Sequence, residues 1–449
     1  MRKPVRNVAV ILALSLVIFG AVSAMASGYD LGGRTVTIVR YDIEQMQDYF
    51  RSGDGRGRIE AVEEMFNVKI DFAGIPWDAG YDVILTSILA GDPVGDIFIV
   101  TNRWIPTLAG NNALLALDDI LNEDYYQSLP GMHPRMRDIY SLYQGKAYGI
   151  SVNGSYQRNM DIGSSQGWIY NRDMFKKAGL VTPNELQATD QWTWQAMREA
   201  AMKLTQDTDG DGQIDQWGVG GRFDPWPIEQ EMAVYSNGGG ILKEKNGKTV
   251  FALTDEDALE ALRMWRDLVK VDGVVMVGDK FNIRKEFNKK TVSQFRLDLF
   301  ALPDHANEVD FDFGWVFHPK GPQAEDYVNP VWGLDAALLP ITCDEPEAMV
   351  EIVNALFETT SDYRDLSLYE NDFLDFFVQS VRDRASLDVI RQMLYKVRLW
   401  DYIPTLPDDL DLKLRQAFGG AVLGEESPKS LMDAIAPAIQ AVVDEVYNK

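Results

Sequence analysis

An acidic loop in the middle of the chain carries side chains that could bind a metal ion. The stretch DTDGDGQIDQWG, residues 207–218, offers oxygen atoms at regular spacing from Asp207, Asp209, Asp211, Gln213 and Asp215. Carboxylates at alternate positions, with one backbone carbonyl, form the kind of ligand set that Ca²⁺ prefers. Carboxylates so close together would repel one another strongly without a cation.

The last position of this loop departs from the EF-hand pattern. An EF-hand loop has a bidentate Glu at its twelfth position, where this chain has Gly218. The loop follows a predicted helix, and no second copy of it occurs, which disfavours a calcium switch. Two interpretations stay open, a structural Ca²⁺ site and an Asp-Gly turn without metal.

The composition excludes some partners and favours another. The formal net charge of −25 would repel phosphate backbones, so nucleic-acid binding is not expected. The three histidines, His133, His305 and His318, are too scattered for a metal site. The eleven tryptophans are more informative, because flat apolar rings suit a site that binds the faces of sugars.

The first residues have the pattern of a secretory signal peptide. MRKPVRN carries three cations, an apolar run follows over residues 8–22, and Ala24-Met25-Ala26 has the A-x-A form of a cleavage site. We therefore predict a signal peptide over residues 1–26. The only cysteine, Cys343, lies far from that junction, so no lipid anchor is expected there. A soluble periplasmic monomer is predicted, with full secretion as the alternative.

The elements after this segment alternate between strands and helices. RTVTIVRY (34–41), VKIDFAGI (68–75) and GDIFIVT (95–101) are predicted strands, and 57–67 and 80–91 are predicted helices. This order predicts an α/β fold with a mostly parallel sheet. Ligands bind at the carboxyl ends of such strands, which selects Asp42, Asn102, Arg103 and Trp104 as candidate ligand-binding residues.

Farther along, two amphipathic helices and a hairpin are predicted. The helix at 192–207 leads directly into the acidic loop, and a second helix covers 255–271. A hairpin is predicted at 242–253, with Asn246-Gly247 as a type I′ turn. The tryptophans of these regions are predicted to have structural or core roles: Trp192, Trp194, Trp217 and Trp265.

Several motifs in one order resemble the extracellular solute-binding proteins of carbohydrate ABC transporters. Each motif alone is weak, but together they cover nearly the whole chain after residue 26. They are LAGDPVGDIFIV, LAGNNALLALDDIL, QGKAYGI, YNRDMFKKAGL, KLTQDTDGDGQIDQWGVG, FNKK, HPKGP and GEESPKSLMDAI.

The resemblance implies two α/β lobes, each built from discontinuous segments, with a hinge and a ligand cleft between them. Lobe 1 is expected at 27–151 plus about 299–342, and lobe 2 at 152–298 plus about 343–449, which includes the acidic loop. Closure of the lobes around a sugar would create the form that the permease subunits in the inner membrane recognise.

Further residues are candidates for ligand binding, the aromatic ones on the basis of the resemblance and the charged ones as partners for hydroxyl groups. Aromatic rings would contact the faces of a sugar, and charged side chains would bind its hydroxyl groups. The additional candidates are Trp226, Arg296, Asp298, Trp332, Trp400 and Tyr402. A neutral oligosaccharide is expected, unless Arg103, Arg222 or Arg296 lines the cleft.

Two other functions stay open as alternatives. An exported glycosidase would also have acids and aromatics, but it needs two carboxyl groups at a defined separation, and no pair stands out in the sequence. An adhesion or scaffold module could use a calcium loop, although a dockerin would have it in duplicate.

Overall fold

The computed structural model describes most of the chain after the predicted signal peptide, whose residues 1–26 lie outside it. The described residues are 28–41, 43–52, 55–77, 79–121, 142–152, 165–223, 227–331, 333, 335–357, 366–399 and 406–448.

Short strands and helices alternate along much of the described chain. The strands are β1 Thr35–Arg40, β2 Lys69–Gly74, β3 Ile97–Thr101, β4 Leu142–Tyr143, β5 Lys146–Ala147, β6 Gly149–Ser151, β7 Gln166–Asn171, β8 Val219–Gly221, β9 Leu242–Lys245, β10 Lys248–Phe251, β11 Val275–Val277, β12 Gln294–Asp298, β13 Phe313–Val316, β14 Asn329–Val331, β15 Asp335–Leu338 and β16 Val397–Leu399.

The helices are α1 Ile43–Ser52, α2 Arg58–Phe66, α3 Gly80–Leu89, α4 Ile105–Gly110, α5 Arg172–Lys177, α6 Pro183–Ala188, α7 Trp194–Leu204, α8 Ile228–Ser236, α9 Glu256–Lys270, α10 Lys280–Asn288, α11 Leu302–Glu308, α12 Pro346–Leu356, α13 Leu366–Phe377, α14 Arg384–Met393, α15 Asp408–Leu423 and α16 Pro428–Tyr447. Short 3₁₀ turns cover Asn102–Trp104, Leu117–Asp119, Leu299–Ala301 and Val378–Ser380. Within the described residues, no helix combines the length and apolar character needed to cross a membrane.

The first sheet has the strand order β2-β1-β3-β15-β6. β1 pairs in parallel with β2 and β3, which confirms the predicted parallel unit, and β15 joins antiparallel to β3. Alternate residues of the central strands enter apolar clusters on opposite faces, Ile97 and Ile99 on one, Phe98 and Val100 on the other. Burial on both faces explains why these strands are continuous apolar runs.

The second sheet has the order β12-β7-β13, with both outer strands antiparallel to β7. Tryptophans fill the space around it, since Trp168, Trp192 and Trp315 are almost completely buried. Trp194 and Trp265 are also buried, as predicted, and Trp217 packs half-buried against the same core. β8 lies beside β12 and pairs in parallel with β11, so its carboxyl end comes close to this sheet.

The predicted hairpin and its turn are confirmed. β9 and β10 pair antiparallel, with Lys245 opposite Lys248. The two turn residues, Asn246 and Gly247, both have positive φ, 54° and 72°. This backbone matches a type I′ turn, which Asn and Gly adopt at little cost.

The two sheets do not divide the chain entirely as the sequence predicted. β13 was assigned to lobe 1 but pairs with β7, which was assigned to lobe 2. α12 was assigned to lobe 2 but packs on α2, beside the first sheet. These two segments differ from the predicted division because their pairing partners lie far away in sequence. The lobe boundaries as a whole stay a prediction.

Candidate ligand-binding site

Four aromatic rings meet at the carboxyl edge of the first sheet and form what we call the aromatic corner: Tyr41, Trp77, Tyr81 and Trp104. Tyr41 directly follows β1, Trp77 lies in the loop after β2, and Trp104 ends the turn after β3. Because β1, β2 and β3 are parallel, the residues that follow them gather at one edge.

The rings of the aromatic corner contact one another at an angle. The ring centroids of Tyr41 and Trp77 are 4.6 Å apart and nearly perpendicular, and those of Trp77 and Trp104 are 6.0 Å apart. Trp77 is 37% exposed and Trp104 is half-buried. Edge-to-face packing holds the rings in place while leaving apolar surface accessible to a ligand.

A buried ion pair between β1 and β15 lies next to Tyr41 of the aromatic corner. Nη1 of Arg40, the last residue of β1, lies 2.8 Å from Oδ2 of Asp335, the first residue of β15. The hydroxyl of Tyr41 donates a hydrogen bond to Oδ1 of Asp335. The Arg40 guanidinium carbon also lies 4.7 Å from the centre of the Tyr41 ring. The position of Tyr41 therefore depends on a charge pair between two strands.

The turn after β3 carries three of the predicted ligand-binding residues. The Oγ1 atom of Thr101 accepts a hydrogen bond from the backbone N–H of Arg103 at 3.4 Å, which caps the turn. Asn102 is only 3% exposed, whereas Arg103 and Trp104 each keep accessible surface. Of the three, only Arg103 and Trp104 keep surface accessible to solvent, and their contact with a ligand stays a prediction.

Two other predicted residues, Arg296 and Asp298, belong to a buried polar network. Arg296 lies 3.1 Å from Asp298 and 3.3 Å from Glu229, and it also donates to Gln166. Burial opposes the charge of Arg296, but Asp298 and Glu229 hold its pKa above the ordinary value. The guanidinium is therefore directed towards protein partners, and its role with a ligand stays a prediction.

The remaining predicted ligand-binding residues, Asp42, Trp226, Trp332, Trp400 and Tyr402, lie outside the described residues. Sequence reasoning missed Tyr41, Trp77 and Tyr81. The strand-end rule that selected Trp104 also applies to Tyr41, which ends one predicted strand, and to Trp77, which lies just after the next.

Glu231, on α8, is a further residue that the sequence did not single out. Burial raises its pKa to about 8, although the charges of Arg103 and Arg415 act in the opposite direction. Arg103 follows a strand of the first sheet, whereas α8 follows β8 beside the second. The charge of a residue that follows the first sheet therefore acts on a carboxyl that follows β8. No spacing in the sequence predicts that Arg103 and Glu231 interact.

Three carboxylates of the acidic loop lie close together. Single oxygen atoms of Asp207, Asp209 and Asp215 are all within 4.8 Å of one another, which would suit a cation. The carboxylate of Asp211, also predicted as a ligand, is not in this group. The Asp211 carboxylate accepts a hydrogen bond from the backbone N–H of Gln213 at 2.8 Å.

Gly218, at the twelfth position of the loop, has a packing role. A Cβ atom there would lie 2.1 Å from the backbone oxygen of Ala201 in α7. The Gly218 N–H donates to Oγ1 of Thr205 at 3.0 Å, and its carbonyl accepts from Nε2 of Gln294 at 3.1 Å. The absence of the EF-hand Glu is therefore explained by close backbone contact between the loop and α7.

The two described histidines have core positions, and His133 lies outside the described residues. His305 and His318 are both buried, in different parts of the core. Burial lowers the pKa of each to about 3, so both are neutral at physiological pH.

Solved structures of other bacterial proteins are similar to this one. UspC from M. tuberculosis has a TM-score of 0.66 at 19% identity, covering 91% of this chain and 100% of that chain. The maltose/maltodextrin-binding domain MalE from Bdellovibrio bacteriovorus, bound to maltotriose, has a TM-score of 0.60 at 15% identity, with 92% and 100% covered. These similarities confirm the predicted two-lobed α/β fold.

Sequence comparison agrees with the structural similarity. A predicted binding protein of Brucella abortus is 22% identical in an alignment of 444 positions that covers 94% of this chain and 96% of the relative. The family model described as "Bacterial extracellular solute-binding protein" matches residues 53–360, more than half of the chain.

Proposed function

Because the chain belongs to the bacterial extracellular solute-binding proteins, we propose that it captures a saccharide between its two lobes and delivers it to an ABC importer in the inner membrane. The observation that carries this proposal is the aromatic corner, four rings at the carboxyl edge of a parallel sheet. The protein would act as an exported monomer in the periplasm, after removal of residues 1–26.

The chemistry of the corner suits a sugar ring. A pyranose has apolar C–H faces and a rim of hydroxyl groups, so it needs flat apolar surfaces beside hydrogen-bonding groups. The partly exposed faces of Trp77 and Trp104 supply the first, and the adjacent Arg103 supplies charge-assisted hydrogen bonds. Binding without bond cleavage is proposed, and the family gives the glycosidase alternative no support.

Replacing Trp77 or Trp104 by alanine is expected to weaken saccharide binding about ten-fold or more, because an aromatic contact contributes on the order of 1 kcal/mol beyond its buried area. Thermal shift across a panel of mono- and oligosaccharides would first find a ligand for the unsubstituted protein. Titration calorimetry would then compare affinities.

Phe376→Ala is a matched control, since this ring is 37% exposed, as Trp77 is, and packs against Phe377 on α13. It should leave the affinity unchanged. The proposal would be contradicted if no saccharide raised the melting temperature, or if mass spectrometry found cleaved saccharides.

We also propose that the acidic loop binds Ca²⁺ as a structural site. Support comes from the three oxygens of Asp207, Asp209 and Asp215, which converge within 4.8 Å. Gly210 and Gly212 have φ values of 82° and 90°, which allow the tight turn around them. The twelfth position supplies no side chain, so water would complete the coordination sphere.

Removal of Ca²⁺ by a chelator is expected to lower the melting temperature by a few degrees, because a ligand that binds only the folded state stabilises it. Asp209→Asn should abolish this difference, since it removes a carboxylate charge from the group. Asp433→Asn, an exposed acid on α16 paired with Lys429, should preserve it. Equal melting temperatures of the unsubstituted protein with Ca²⁺ and with chelator would exclude the calcium site.

A further inference from the structure

Arg222 is a buried cation without a bonded partner among the described residues. It directly follows β8, at the carboxyl end of this strand, and is only 7% exposed. Its Nε atom is enclosed and has no hydrogen-bond acceptor. Within the described part of the chain, no hydrogen bond or ion pair holds its guanidinium group.

This arrangement is unfavourable for the ligand-free protein. A buried charge needs a partner, and burial indeed lowers the pKa of Arg222, with only partial opposition from the charge of Glu229. Glu229 makes no hydrogen bond to Arg222, since its Oε1 atom lies 3.3 Å from Arg296 and its Oε2 atom has no hydrogen-bond partner among the described residues. Arg296, by contrast, has its acceptors in Glu229, Asp298 and Gln166. Of Arg222 and Arg296, Arg222 is therefore the one whose guanidinium group has N–H donors without acceptors among the described residues.

The surroundings of Arg222 connect it to the candidate site. The Glu231 carboxyl interacts electrostatically with Arg222, with Arg103 and with Arg415. Arg103 belongs to the same turn as Trp104 of the aromatic corner. Polar groups that follow β3 and polar groups that follow β8 thus act on a single carboxyl.

The charges of Arg103, Arg415 and Arg222 act on the Glu231 carboxyl against that of Glu229, and the charge of Arg296 acts on Arg222 against those of Glu229, Asp298 and Asp279. Burial raises the pKa of Glu231 to about 8, so its neutral form predominates and can donate a hydrogen bond. Arg415 is paired with Asp411 at 2.7 Å, whereas Arg222 has no such partner among the described residues. A neutral donor beside guanidinium groups is suited to an anionic oxygen and unsuited to a ligand cation.

We propose that the saccharide carries an acidic group, a carboxylate or a phosphate, which Arg222 binds while Glu231 and Arg103 lie beside it. This inference rests on the proposed function and specifies its ligand class. A neutral sugar is the expectation from the sequence unless Arg103, Arg222 or Arg296 lines the cleft, and under this proposal Arg222 is the arginine that does so. The net charge of −25 does not oppose it, because exposed charges beyond about 8 Å are largely screened at physiological salt.

The test compares acidic saccharides with neutral saccharides of the same shape. Isothermal titration would measure digalacturonate against galactobiose, and maltose phosphate against maltose, so that the two arms separate a carboxylate ligand from a phosphate ligand. At least one acidic member is expected to bind ten-fold or more tightly than its neutral partner, and Arg222→Gln should remove this preference, because charge-assisted hydrogen bonds are lost. Arg222→Lys, which keeps the charge, should retain part of it.

Arg263→Gln is the matched control, since Arg263 is a half-exposed arginine on α9 paired with Glu256. It should leave the preference intact. Neutral saccharides that bind as tightly as acidic ones would overturn the acidic-ligand inference while leaving the proposed function standing, and so would an acidic preference that survives Arg222→Gln. Failure of both classes to bind would contradict the proposed function itself. The comparison in the unsubstituted protein remains decisive even if Arg222→Gln does not fold.

Discussion

Gly218→Glu is expected to destabilise the protein by more than about 3 kcal/mol, although the substitution restores the EF-hand residue that the acidic loop lacks. The new Cβ atom would lie 2.1 Å from the oxygen and 2.5 Å from the Cα atom of Ala201. Overpacking commonly costs about 1–3 kcal/mol, and a contact with helix backbone cannot relax by rotating a side chain. The carboxylate would also enter a buried position. Urea unfolding measures the change.

Gly273→Ala separates this clash from a general cost of losing a glycine. Gly273 has a φ of 64° and no atom within 4 Å of its added Cβ, so only backbone strain of about 1 kcal/mol is expected. Gly218→Ala should cost clearly more than Gly273→Ala. If Gly218→Glu kept the urea midpoint and tightened Ca²⁺ binding, the close contact between loop and helix would be refuted.

Asp335→Asn is expected to destabilise the protein by about 3–5 kcal/mol, because it removes the opposite charge that lies 2.8 Å from the buried Arg40 guanidinium. The side chains of Arg40 and Asp335 are only 2% and 7% exposed. The same substitution weakens the acceptor of the Tyr41 hydroxyl, so saccharide affinity should fall together with stability. Denaturant unfolding and calorimetric titration measure the two effects.

Asp119→Asn is a control, because its ion pair with Lys146 has nearly the same N–O distance as the pair of Arg40 and Asp335. Asp119 lies 2.9 Å from Lys146, but both side chains are about half exposed, so a change below about 1 kcal/mol is expected. A double substitution of Arg40 and Asp335 by Met and Leu should recover much of the stability without restoring Tyr41. If Asp335→Asn and Asp119→Asn changed the free energy of unfolding equally, burial would not increase the contribution of the Arg40–Asp335 pair to stability.

Much of the fold could be predicted from local sequence. β1, β2 and β3 lie where the β-branched runs predicted them, because strands buried on both faces need continuous apolar residues. Asn246-Gly247 predicted its turn for an equally local reason, the positive φ that both residues adopt. The lobe assignments of β13 and α12 could not be obtained in this way, because pairing between segments far apart in sequence depends on the whole chain.

The candidate site, like the fold, could be predicted from the sequence only in part. By itself, the sequence determined which residues follow strands, and therefore that Arg103 and Trp104 stand at a sheet edge. Only the tertiary structure decided that Trp77 and Tyr41 meet Trp104, that Arg296 is engaged by Glu229 and Asp298, and that Arg222 is not. The physical reason is that hydrophobic periodicity is a local property of the chain, whereas the pairing of buried charges and the gathering of rings are set by distances between elements that no local pattern encodes.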